Sequence, residues 1–75
     1  MAMSQCERIL RHMEDYGEIA QLVALREYGI MRLASRISDL RKAGISIEKS
    51  FRLGKNKYGE PAKWAVYSLN ERNKQ

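Results

Sequence analysis

The chain has 75 residues, 44% hydrophobic and 31% charged, with a net charge of +5. That composition predicts one small soluble domain over residues 1–75, ordered from about residue 4 to 70, and not a disordered tail. A single cysteine and a single histidine exclude an internal disulfide framework and a cysteine-rich metal site.

No apolar run approaches the roughly 18 residues of a membrane span, and no export signal is visible. The expectation is a cytoplasmic binding module, not an enzyme, with no cofactor and no metal. The charge is unevenly spread. Residues 1–30 carry three bases against five acids, net −2, and residues 31–75 carry eleven bases against four acids, net +7. A basic segment beside a mildly acidic one points to one face aimed at a polyanion; the plain alternative is a solubilising surface.

In chain order, Ser4 followed by Glu7 reads as a capping box, in which each residue satisfies one free amide of the helix start. Cys6, Ile9, Leu10 and Met13 recur at helical spacing, and Gly17 is suited to end the helix, which is expected from Gln5 to Tyr16. His12 is expected at its surface, and Cys6 in the core. Glu18-Ile19-Ala20 has room for an edge strand of two or three residues. A second helix is expected from Gln21 to Tyr28 with Leu22 and Leu25 inward, closed by Gly29. It has no Ser, Thr or Asp at its start, which costs about 1 kcal/mol.

A third helix is expected about two residues after Gly29. Leu33, Ile37 and Leu40 share its buried face, and Gly44 ends it behind Arg41 and Lys42. Helix, short Gly-containing turn, helix is a helix-turn-helix arrangement. The period then changes to two. Ile45, Ile47, Phe51 and Leu53 alternate with polar residues, which predicts a strand. Gly54 to Pro61 reads as an eight-residue basic loop, and Ala62 to Leu69 as the returning strand. Ala65, Tyr67 and Leu69 are expected inward. Trp64 and Val66 either face outward as a dimer or partner surface or are buried by twist of the hairpin. Asn70 to Gln75 is polar and expected to fray.

The stretch from Tyr28 to Gly44, with Gly29-Ile30, Arg32-Leu33-Ala34, Arg36-Ile37 and Asp39-Leu40-Arg41 in it, resembles a family of small winged helix-turn-helix DNA-binding domains common in phages and prophages. The opening Gln5 to Leu10 and the ending Tyr67-Ser68-Leu69 resemble it too, so the likeness spans nearly the whole chain. It implies an α+β fold of three helices followed by a β-hairpin wing. It implies a double-stranded DNA-binding protein, a phage-derived transcriptional regulator or an excisionase-like architectural factor. Such a module would act by occupancy in a bacterial host cytoplasm, as a homodimer or cooperative array, because one module on one half-site binds weakly.

Stepping 100° per residue puts Met31, Ser35, Ser38 and Lys42 on the side of the third helix away from the core, with Arg32 and Asp39 flanking. Arg32 and Ser35 are the candidates for base edges, Ser38 and Lys42 for phosphates. Arg36 is either a DNA contact or an ion-pair partner of Asp39, three residues on. In the wing, Lys55, Asn56, Lys57 and Tyr58 form a basic tip, with Arg52 and Lys63 extending it along the strands. The rival reading is a small phage protein that binds a host or phage protein through Trp64 and Val66. Convergence of Arg32, Lys42, Lys55 and Lys57 favours DNA; one exposed patch of Trp64, Val66 and Met31 favours a protein partner.

Overall fold

The structure, a computed structural model, describes residues 4–70. Its first helix, α1 (Gln5–Tyr16), starts where the sequence predicts. The Glu7 amide donates to the Ser4 hydroxyl and the Ser4 amide to the Glu7 carboxylate, both at 3.1 Å. The Ser4 backbone amide, and then its hydroxyl, hold the Glu7 carboxyl below its ordinary pKa. Ile9 and Met13 are buried, and Cys6 is half-buried with its thiol 3.9 Å from the Arg36 carbonyl.

After Gly17 the chain forms β1 (Glu18–Ala20) and passes directly into α2 (Gln21–Tyr28). The expected inward positions are wrong here: Leu22 is 60% exposed and Leu25 44% exposed, while Ala24 is fully buried. Four consecutive apolar residues, Leu22 to Leu25, leave the phase of so short a helix open to tertiary packing. Two long-range anchors turn it. Gln21 at one end reaches the turn after α2, and Tyr28 at the other meets His12 at 2.6 Å. Ala24 lies between them at helical spacing, so it takes the core position.

His12 is accordingly not a surface residue. It is buried on α1, its Nδ1 against the Tyr28 hydroxyl and its ring 4.7 Å from that of Tyr16. The third helix, α3 (Leu33–Lys42), begins slightly later than expected and buries Leu33, Ile37 and Leu40. It is capped by Ala43, and Gly44 (φ 98°) turns the chain away.

Two antiparallel strands follow, β2 (Ile47–Lys55) and β3 (Pro61–Leu69), with β3 central in the order β1-β3-β2. The ladder runs from Ile47 opposite Leu69 to Lys55 opposite Pro61, so the eight-residue loop contracts to residues 56–60. Ile19, Ile47 and Tyr67 join the helices in one core with Ile9, Ile30, Leu33 and Ile37, and Ala65 and Leu69 pack against it as expected. Each fully buried Ile or Leu contributes about 1.5–3 kcal/mol relative to exposure. Phe51 and Leu53 share the face of Ile47 but are 54% and 81% exposed, because the helices do not reach that far.

On the opposite face Glu18 of β1 stands level with Ser68 of β3, and Arg52 of β2 level with Trp64. Their bidentate ion pair therefore crosses β3 over Val66, which is buried although no helix covers that face. Of the two sequence readings for this strand, Val66 is inward-shielded and only Trp64 remains half-exposed. Of the stretch expected to fray, Asn70 donates its amide to the Ser46 carbonyl at 3.0 Å, and residues 71–75 lie outside the described residues. No helix among the described residues is long and apolar enough to cross a membrane.

Candidate nucleic-acid interface

Neither α2 nor α3 carries a side-chain cap at its own start. For α3, Gln21 supplies the missing cap from a distance. Its Nε2 donates to the Ile30 carbonyl at 2.8 Å, and its Oε1 accepts from the Leu33 amide at 2.9 Å. One residue thus fixes the turn between the helices and the first amide of α3. Within that turn Gly29 (φ 69°) adopts the left-handed conformation that L side chains rarely adopt. Gln21 stands at the position where the sequence showed only a missing cap; its reach of nine and twelve residues left no local signal.

On α3 the expected outward residues are solvent-facing or half-buried. Ser38 and Lys42 are exposed, and Ser35 is half-buried. Met31 and Arg32 precede the helix, both exposed, and Arg32, Arg36 and Met31 border one shallow recess with Gln5. Arg36 is also paired with Asp39 at 3.4 Å, with both side chains substantially exposed. Asp39 thereby neutralises a guanidinium on the flank nearest α1, and such an exposed pair contributes about 0–1 kcal/mol. Arg41 donates to the Ile47 carbonyl at 3.1 Å and ties the end of α3 to the start of β2.

On the hairpin, residues 47, 49, 51, 53 and 55 of β2 and 63, 65, 67 and 69 of β3 share the face toward the helices. Lys55 and Lys63 are therefore on the same side as α3. Lys49 is there too, and sequence reasoning missed it; the alternation that placed Phe51 and Leu53 also placed Lys49. The Lys49 and Lys63 ammonium groups lie 5.5 and 4.9 Å from the Phe51 ring centre.

Arg52 does not join this group. It lies on the opposite face, paired with Glu18, which raises its pKa through that hydrogen bond and then through charge attraction. Asn56 is engaged in building the turn: its Oδ1 accepts from the amides of Tyr58 (2.9 Å) and Glu60 (3.1 Å), and its Nδ2 donates to the Glu60 carboxylate. That leaves Lys57 and Tyr58 as the exposed tip, with the ammonium of one 5.1 Å from the ring of the other.

Between β3 and the starts of α2 and α3 lies a cleft of about 450 Å³, lined by Leu22, Ala34, Trp64 and Ala65 among others. None of its lining residues is charged.

A helix pair braced through its turn, followed by a basic hairpin on the same side, invites comparison with known domains. The family model described as "Winged helix-turn-helix domain" matches residues 4–72. The chain belongs to that family. No curated protein and no solved structure matches it. In the winged helix-turn-helix, α2 and α3 are the helix-turn-helix, β2 and β3 are the wing, and β1 completes a three-stranded sheet beyond the hairpin expected from the sequence. The fold suggests DNA binding. The surface that the rival reading needed, Trp64 with Val66 and Met31, does not form, because Val66 is buried beneath the Glu18–Arg52 pair.

Proposed function

We propose that this winged helix-turn-helix binds double-stranded DNA, with α3 entering the major groove and the wing clamping the flanking backbone. The observation that carries the reading is the placing of the exposed bases. The wing lysines Lys49, Lys55 and Lys63 stand on the hairpin face toward the helices, and α3 presents exposed Ser38 and Lys42. Small residues let a helix backbone approach base edges, and the lysines neutralise phosphates without reading sequence.

Arg32 and Ser35, near the start of α3, are the candidate base contacts. Arg32 has no side-chain hydrogen bond or ion pair among the described residues, so its guanidinium is available for a bidentate contact with guanine. Ser38 and Lys42 meet phosphate, Met31 packs at the groove edge, and Arg36 serves first as the partner of Asp39. Lys57 and Tyr58 carry the tip contact.

The module acts by occupancy, as a transcriptional regulator or an excisionase-like architectural factor, assembled as a homodimer or cooperative array. The resemblance to small phage and prophage domains supports that placement. The testing experiment is a salt titration of binding to random duplex DNA. Binding that falls steeply with salt supports the reading, and no binding at about 50 mM salt overturns it.

A further inference from the structure

The cleft beside α3 is apolar and sits at the start of that helix, an odd surface to turn toward a polyanion unless it meets the apolar part of one. We infer that it is a subsite for the 5-methyl group of thymine, with Ala34 and Leu22 as the residues that make α3 select thymine at one position. This rests on the DNA-binding reading above.

Three observations converge. First, beyond Arg32 at its N-cap, α3 has few groups left to read a base by hydrogen bonding. Arg36 is paired with Asp39, and Arg41 is held by the Ile47 carbonyl. The remaining outward residues are Ala34, Ser35, Ser38 and Lys42. A serine hydroxyl both donates and accepts, so it meets most base edges equally, and a lysine is a mobile point charge. On the Ala34 side of the helix, the chemistry that discriminates is apolar contact, and the group in the major groove that takes it is the thymine methyl.

Second, the cleft continues the Ala34 surface. Ala34, Leu22, Ala65 and Trp64 border one space next to the first turn of α3, the turn whose residues reach base edges in helix-turn-helix docking. Of the polar side chains there, Gln21 is committed at both ends to Ile30 and Leu33, and Tyr67 is buried.

Third, the charge fits. No lining residue is charged, and Lys63, next to Trp64 on β3, holds its ammonium over Phe51, the cross-strand neighbour of Ala65. An apolar floor with cations on its wing side matches a base edge flanked by phosphates.

The test uses the full chain and duplexes recovered from a random pool by selection for binding. Each recovered site is remade with deoxyuridine for thymidine, which removes only the methyl, and with a 5-methylcytosine pair, which restores a methyl in the same groove. Loss of one contacted methyl weakens binding about fourfold, and the methylated cytosine recovers part of that loss relative to plain cytosine. In Ala34→Ser and, separately, Leu22→Gln, the thymine-to-uracil ratio falls toward one while the salt dependence of binding, set by the phosphate contacts, is kept. Both residues are solvent-facing, so a fold defect in one variant leaves the other as the check.

Equal binding of thymine and uracil duplexes overturns the inference while leaving DNA binding standing. Recovered sites without thymine at a fixed position overturn it too. A shift in Trp64 emission with protein concentration alone would show a second copy filling the cleft and also overturn it. Absence of any duplex binding at about 50 mM salt removes this inference and the DNA reading together.

Discussion

Near Ile47 and Leu69 the β2–β3 ladder lies under the helices, and near Phe51 and Leu53 the same ladder, with the same alternation, stands clear of them. At the first end apolar side chains join a core with Ile9, Ile19 and Ile37. At the second, Phe51 is left to two lysines and Leu53 to water. Alternation states which face a residue takes. It does not state whether anything covers that face. In a chain this small the helices cover about half a hairpin, and the uncovered half is what can reach outward.

The contrast can be broken at its strongest point first. Ile37→Ala opens a cavity between α1 and α3 and should cost about 2–5 kcal/mol in chemical denaturation. Leu53→Ser, an apolar residue of the same alternating class, should stay within about 0.5 kcal/mol. Equal losses would mean that the wing is packed in solution. Gln21→Ala comes next. Removing it leaves the Leu33 amide and the Ile30 carbonyl without their partner and should cost about 1–3 kcal/mol. Hydrogen exchange should quicken at Leu33 before it does in α1, whose capping box is self-contained.

Lys55→Ala with Lys57→Ala sharpens the functional side of the comparison. The double variant should unfold like the parent, while the slope of log affinity against log salt falls by about two units. An unchanged slope would remove the wing from the interface.

The smallest effect concerns Glu7. Its carboxyl is held below the ordinary value by Ser4, so the contribution of the ionised capping box is fully present above the ordinary carboxylate pKa. It is lost as pH falls through the lowered value of the folded state. The difference in stability between the parent and Glu7→Gln, followed by denaturation at successive pH values, should shrink on the acid side. A difference that grows there would contradict the box.

The residues where sequence reasoning failed share a cause. Leu22, Leu25 and His12 were read from neighbours within one turn, and the sequence leaves Val66 open between facing outward and being buried. Their burial is decided by partners much further along the chain: Gln21 reaching Leu33, Tyr28 reaching His12, and Glu18 reaching Arg52 across β3. Arg52 and Asn56 were read as contacts from charge and position alone, and the structure employs each within the protein.

Sequence alone determined the order of elements, the closed start of α1, the core stripe of α3 and the concentration of positive charge after residue 30. Those features depend on spacing, capping and composition, which are local or additive. Tertiary structure alone decided the phase of α2, the shielding of Val66, the extent of wing left uncovered and the apolar cleft beside α3. Each of these depends on which surfaces meet when two distant segments pack, and a single segment's periodicity carries no information about its partner.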